Sequence, residues 1–309
     1  MKKRNRSAMN RHRLQRVSKV GALWLLLCFL ISGCGIQLGV EPAQGDAASP
    51  LPAGTKADGQ LRVIFLDVGQ GASQLLISPS GRTMLIDAGN NSEEQRMVDY
   101  LREYGVERID IVVGTHPDAD HIGGLDAVID HYEVGAVYMP KIQANTKTFE
   151  SLLQSIRDRG LKVKTAKSGL KLDWDEQVDV RLVAPVEQSD DSNNMSAVIK
   201  VAFGETSFLL TGDAERESEK AMLASGADVQ ADVLLVGHHG STSSTSLSFL
   251  RKVSPKYAVI QVGENSYGHP KQEILDRLKK QNVQVYRNDR QGTIEVVSDG
   301  REIRITTER

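Results

Sequence analysis

Cysteine is all but missing: the 309 residues hold two, Cys28 and Cys34, both near the N-terminus. A disulfide-stapled miniprotein is thereby excluded, and the chain beyond Cys34 can form no internal disulfide. Aromatic residues are scarce as well, at 5%, too few for an extended platform on which nucleic-acid bases stack. No apolar stretch reaches the roughly 20 residues of a membrane-spanning helix, which excludes a polytopic membrane protein. There is no repeat of fixed period. What is present, 40% hydrophobic and 25% charged residues, is the composition of a packed globular protein. The net charge of −2 conceals an asymmetry. The first 33 residues hold eight Lys/Arg and no acid, so from Cys34 onward 30 basic residues face 40 acidic ones, a net −10. A general polyanion binder held by bulk charge is excluded on that balance.

The N-terminus reads as an address. Met1 to Lys19 is basic, Val20 to Ile31 is an apolar run of 12, and Ser32-Gly33-Cys34 follows. The run is too short to span a bilayer and matches the apolar centre of a secretory signal. Ile31-Ser32-Gly33-Cys34 resembles a bacterial lipobox, which implies cleavage before Cys34 and lipidation of its thiol. Residues 1–33 are therefore expected to be a lipoprotein signal peptide, and 34–60, rich in Ala, Gly and Pro, a flexible linker. The protein would then sit on the extracytoplasmic face of the cell membrane.

Folded structure is expected over 61–309 as a single domain. Leu61 to Val68, Gln74 to Ser78 and Thr83 to Asp87 read as strands, and Met97, Val98, Leu101 and Tyr104 have helical spacing. A strand Ile109 to Gly114 follows, then an amphipathic helix marked by Phe149, Leu152, Leu153 and Ile156. Strands are expected over Leu161 to Ala166, Val178 to Ala184, Ser196 to Phe203 and Thr206 to Thr211. Helices and strands then alternate to a closing hairpin around Asp299-Gly300. Two β-rich groups, each with its own helices, fit a layered α/β fold.

The chemistry concentrates where strands end. Six histidines follow Cys34: His116, His121, His131, His238, His239 and His269. The densest cluster, Thr115-His116-Pro117-Asp118-Ala119-Asp120-His121, comes directly after Ile111-Val112-Val113. Two imidazoles and two carboxylates this close are tolerable together around a cation. Asp120 could instead cap the segment from Ile122, but His116, Asp118 and His121 would then go unexplained. Three more strand ends carry Asp87, Asp213 and His238-His239. Together they make a two-cation constellation, with His131 set aside as a bystander.

In that order, Leu85-Ile86-Asp87-Ala88-Gly89, His116-x-Asp118-x-Asp120-His121, Gly212-Asp213 and Gly237-His238-His239-Gly240-Ser241 resemble the metallo-β-lactamase superfamily. Asp67-Val68-Gly69-Gln70-Gly71, Asn193-Asn194-Met195-Ser196 and Tyr267-Gly268-His269-Pro270 further resemble the hydrolase domain of ComEC-type DNA-internalisation (competence) proteins. The resemblance implies an αββα sandwich with two divalent metal ions at one edge. It implies His116, Asp118 and Asp213 for the first ion, and Asp120, His121, bridging Asp213 and His238 for the second. His239 could replace His238, the other facing substrate. Asp87 would orient the loop or a water, His269 would act on substrate at the rim, and Asn194 and Ser241 would contact it.

Three departures stand out. Asp118 takes a position where the superfamily commonly has His, and no His lies between His131 and His238. The first site is thus richer in oxygen, which weakens the preference for Zn²⁺ and admits Mn²⁺ or Mg²⁺. Ala72 stands where ComEC-type domains often carry Asp. The function implied is a membrane-anchored, metal-dependent phosphodiesterase, foremost a nuclease on extracellular DNA. The alternatives are an envelope phosphodiesterase for phosphorylcholine or teichoic-acid linkages, and a non-catalytic module that passes DNA to an uptake system. Because the net charge opposes DNA, a local basic path is required, with Lys252, Lys256, Lys271, Arg287 and Arg290 as candidates.

Overall fold

The computed structural model describes residues 58–309, so the signal over 1–33, most of the linker over 34–60 and Cys34 lie outside the described residues. The first strand begins at Leu61. Fifteen strands are described: β1 (Leu61–Phe65), β2 (Gln74–Ile77), β3 (Thr83–Ile86), β4 (Arg108–Val113), β5 (Glu133–Pro140), β6 (Val163–Ala166), β7 (Lys171–Asp175), β8 (Val178–Ala184), β9 (Val198–Phe203), β10 (Thr206–Leu210), β11 (Val233–Leu235), β12 (Tyr257–Ile260), β13 (Gln284–Arg287), β14 (Ile294–Ser298) and β15 (Ile303–Thr307). They form an eight-stranded sheet in the order β15-β14-β1-β2-β3-β4-β5-β6 and a seven-stranded sheet in the order β13-β12-β11-β10-β9-β8-β7.

Alternation of side chains along each strand builds the layers. Leu61, Val63 and Phe65 of β1 point between the sheets, where they meet Ile199, Val201, Phe208 and Trp174. Ile64 and Leu66 point the other way, onto α1 (Glu94–Glu103), α3 (Leu125–His131) and α4 (Lys147–Asp158), below the short α2 (Ala119–Ile122). The outer face of the second sheet does the same through Val198, Leu209 and Leu234, which pack on α5 (Arg216–Ala224), α6 (Leu247–Val253) and α7 (Gln272–Lys280). A short α8 (Asn288–Gln291) joins β13 to β14. The result is a mixed α/β two-sheet sandwich with a helical layer on each face, αββα. Both faces of the central strands are buried, so they read as nearly continuous apolar runs.

Parallel pairing positions the site. β3, β4, β5 and β6 run parallel in the first sheet, and β10, β11, β12 and β13 in the second. The loops after their last residues therefore open on a common edge for each sheet. Among the described residues no helix is long and apolar enough to cross a membrane.

Candidate metal centre

The donors lie in the segments that follow buried strands. Asp87 follows β3 and has a left-handed backbone, φ 57°. Thr115 and His116 follow β4, and Asp120 and His121 ride on α2. Neither Asp118 nor Asp120 caps this helix through its side chain: Asp118 is the residue at the cap position but makes no such bond. Asp120 is therefore not a cap: its carboxylate turns to His239, while that of Asp118 turns to Ser192. Asp213 follows β10, its amide donating to Ser196 Oγ at 3.2 Å. His238 and His239 follow β11 in a turn where both are left-handed, φ 48° and 50°.

Two groups of possible ligands result: His116, His121 and Asp213, and Asp120, His121 and His239, with donor atoms within 4.8 Å of one another in each. His121 Nε2 lies 3.1 Å from Asp213 Oδ1 and 3.3 Å from His239 Nε2. His239 Nε2 is 3.3 Å from Asp120 Oδ2 and 3.6 Å from Asp213 Oδ2. The opposite ring nitrogens are tied back. His121 Nδ1 donates to Asp87 Oδ2 at 2.8 Å, and His239 Nδ1 to the Gln261 carbonyl at 2.8 Å. With Nδ1 carrying the proton, each Nε2 presents a lone pair to the cluster. His116 Nε2 is buried with no hydrogen-bond partner, 3.8 Å from Asp118 and 4.0 Å from Asp213. A buried imidazole nitrogen without a partner, and two more facing each other, fit cations as the missing partners.

The carboxylates set up a field that draws positive charge, protons onto His121 in the same way as the cations that would replace them. Burial opposes the Asp213 charge, yet His121, His239 and His116 hold its carboxyl well below the usual range. Burial works against protonated His121, but Asp213 and Asp87 raise it well above the ordinary histidine value. Asp120 is likewise drawn down to about 2 against burial, by its bond to His239 and the charge of His121. His116 is pushed down by burial and then by His121.

The remaining expected residues lie around this cluster rather than in it. Asp118 stands at the rim, accepting from Ser192 Oγ at 3.3 Å. Asp87 is fully buried behind His121, where it also accepts from the Thr115 amide and hydroxyl, so it positions His121 instead of facing a substrate. Of the adjacent histidines, His239 and not His238 enters a ligand group, because the turn sends their rings apart, 6.2 Å between centroids at 71°. His238 Nδ1 donates to Glu215 Oε1 at 2.8 Å, leaving Nε2 3.7 Å from Asp213 Oδ2. His269 packs edge-on against His238 at 5.6 Å, and burial and then His238 push it down to about 4. Asn194 Oδ1 accepts from the Ser218 amide at the start of α5, and Ser241 Oγ meets Ser243 Oγ at 2.8 Å. Both are largely committed to loop structure. His131 ends α3, bonded to the Ala127 carbonyl and away from the cluster. Ala72 is buried behind the His/Asp loop, its amide donating to the Asp120 carbonyl.

Nothing in the sequence pointed to Glu215, and Tyr267, though part of the Tyr267-Gly268-His269-Pro270 motif, had no role assigned to it. Glu215 stands two residues past Asp213, a spacing that carries no sign of a contact 23 positions onward. Tyr267 is 65% exposed and stacked on His269 at 5.7 Å, an aromatic left at the rim. Of the expected basic path, Lys271 stands at the rim, its Nζ donating to the Tyr267 carbonyl beside His269. Lys256 precedes β12, at the end away from the site, and pairs with Asp232, while Arg287 pairs with Asp289. Beside the His238–Glu215 pair opens a groove of about 700 Å³, lined by Glu187, Asn194, Ser218, Lys220 and Ser243.

A family model described as the metallo-beta-lactamase superfamily matches residues 67–264. ComE operon protein 3 of Bacillus subtilis (strain 168) is 33% identical over 252 residues, 75% of this chain and 32% of that protein. Competence protein ComA of Neisseria gonorrhoeae is 31% identical over 242 residues, 77% of this chain and 32% of that protein. The chain thus spans 32% of the length of either relative. Among solved structures, CmlA, a diiron beta-hydroxylase from Streptomyces venezuelae, superposes with a TM-score of 0.50 at 15% identity, covering 77% of this chain and 53% of that one. At that identity the likeness speaks to the fold alone.

Proposed function

The chain belongs to the metallo-β-lactamase superfamily, and from that premise we propose that it is a metal-dependent phosphodiesterase, foremost a nuclease on extracellular DNA, acting in competence from a lipid anchor at Cys34. The observation that carries the reading is the convergence of the His116, His121 and His239 Nε2 atoms on Asp213, with His238 and Glu215 paired beside them. His116 and Asp213, with Asp118 near, would hold one ion, and Asp120, His121 and His239 the other, since the one free nitrogen of His121 can serve a single ion. Two such ions stabilise the charge that develops on phosphoryl oxygens and lower the pKa of water. The oxygen donors around His116 favour Mn²⁺ over Zn²⁺, with Mg²⁺ admitted.

The chain's own residues supply the rest. Asp87 holds the His121 ring and fixes its tautomer, and Gln261 does the same for His239 through its carbonyl. The Gln261 side chain is itself pinned, donating to the Leu66 and Ser73 carbonyls. Glu215 orients His238 so that Nε2 faces the cluster, where it can take a proton from the attacking water and return it to the leaving alkoxide. His269 and Tyr267 border the same opening and bear on the substrate. Kinship with competence proteins supports DNA as the substrate.

The test is hydrolysis of single-stranded DNA and of bis-p-nitrophenyl phosphate by the full chain, with Mn²⁺ and after chelation. Metal-dependent release from both supports the proposal. Hydrolysis of the small diester without DNA cleavage would point to an envelope phosphodiester, and hydrolysis of neither would leave a binding module.

A further inference from the structure

Residues 141–171 carry eight Lys/Arg and two Asp/Glu, within a chain whose net charge from Cys34 onward is −10. All eight basic side chains are exposed. Among the described residues only Lys171 of the eight has a carboxylate partner, Asp179 at 3.0 Å. Lys164 lies over the Tyr138 ring, and Arg159 donates to the Tyr132 carbonyl. Lys147, Arg157 and Arg159 belong to α4 and its end, whereas Lys141, Lys162, Lys164, Lys167 and Lys171 gather in one place, with the exposed Asp173 of β7 beside Lys171.

That place is the edge of the sandwich closed by β6 and β7, each the last strand of its sheet. Ala166 of β6 and Leu172 and Trp174 of β7 meet in the core between the sheets, so the two edges lie together. β6 runs parallel to β5 and β4, so its C-terminal end opens on the edge that carries His116. Lys141 directly follows β5 and Lys167 directly follows β6. Two strand spacings put β6 about 10 Å from β4. The Lys141 carbonyl accepts from Gln188, and that segment continues to Ser192, which donates to Asp118. From Lys167 back to Lys162 the strand covers about 16 Å at roughly 3.3 Å per residue.

Lysines on an edge strand also deter pairing with another sheet. That accounts for Lys162 and Lys164, but not for Lys141 in the loop after β5 or Lys167 at the metal edge. We propose that this edge is a docking track for the phosphate backbone of a DNA strand, leading it from the β6–β7 side to the metal centre. The proposal rests on the phosphodiesterase reading and gives it the basic path that the chain's overall charge denies. Few aromatics and many point charges make the contact independent of sequence and strongly dependent on salt. A bilayer bound to the same lysines would cover the approach to His116, which favours a nucleic acid.

The test replaces Lys141, Lys162 and Lys167 together by Gln in the full chain, and separately by Arg. Binding of a fluorescent single-stranded oligodeoxynucleotide is followed by anisotropy across a salt series, with chelator present to suppress cleavage. Losing three phosphate contacts should weaken binding at least about tenfold near 100 mM salt and lower the log–log salt slope by about 2. The Arg variant should bind within about twofold of the parent, and turnover of bis-p-nitrophenyl phosphate should be unchanged in both. Unchanged oligonucleotide binding by the Gln variant would overturn the track even if the parent cleaves DNA. Conversely, binding lost in the Gln variant upholds the track even if the parent cleaves none. Parent binding to anionic phosphatidylglycerol vesicles without binding to the oligonucleotide would also overturn it.

Discussion

At the scale of single residues, two neighbours do different work. Consecutive left-handed φ values at His238 and His239 are strained for residues other than glycine. The turn separates the two rings, so that His239 Nε2 meets Asp120 while His238 leans on Glu215 with its Nε2 still facing Asp213. His239→Ala should therefore lose bound metal and activity together. His238→Ala and Glu215→Gln should keep their metal and slow phosphodiester turnover by roughly 10²–10⁴-fold and less, respectively, as loss of a positioned proton donor does. Metal content by plasma emission beside turnover on bis-p-nitrophenyl phosphate distinguishes the two. The strand-end pattern made the donors legible from sequence, because Asp87, His116, Asp213 and the His pair each follow an apolar run. Which of two adjacent histidines turns inward was not legible, since it depends on backbone torsions in a turn.

At the scale of elements, two close approaches have measurable consequences. A side chain on Gly71 would bring Cβ within 2.6 Å of the Asp120 carbonyl oxygen, so the glycine-rich loop after β1 packs against the ligand loop. Gly71→Ala should displace Asp120 and weaken metal binding severalfold with little change in helix content, read by metal titration and circular dichroism. Across the sandwich, Asp175 at the end of β7 accepts from Ser80 Oγ in the β2–β3 turn and from the Gln177 amide. Burial opposes its charge, but the Ser80 and Ser78 hydroxyls and the Gln177 and Ser80 amides hold its carboxyl below 3.8. A lowered folded-state pKa stabilises above the unfolded value and is lost as pH falls through the folded one. Asp175→Asn should thus cost about 1–2 kcal/mol at neutral pH, and the gap to the parent should close as pH drops below 3.8, measured by urea unfolding. Most strands were readable as apolar runs, whereas β5, β7 and β13 were not. β5 is interrupted by Gly135, where a Cβ would meet the Asp110 carbonyl oxygen at 2.6 Å. β7 alternates charged with buried residues, and β13 is a half-buried edge strand, so neither shows a sustained apolar signal.

At the scale of the whole molecule, the layered α/β class followed from sequence order, but the αββα arrangement required the motif resemblance, because strand order does not dictate which sheet a strand joins. The anchor remains a proposal on residues outside the described structure. Cys34→Ala should abolish incorporation of labelled lipid and move the protein out of the membrane fraction, and unchanged labelling would rule the anchor out. The central claim is that paired cations held by His116, His121, His239, Asp120 and Asp213 carry phosphodiester hydrolysis. It is tested most directly by titrating the chelated full chain with Mn²⁺ while following bis-p-nitrophenyl phosphate hydrolysis. No turnover is expected after chelation, and activity should rise to a plateau at two equivalents per chain. Hydrolysis that survives complete removal of metal, or none with two ions bound, would contradict the claim.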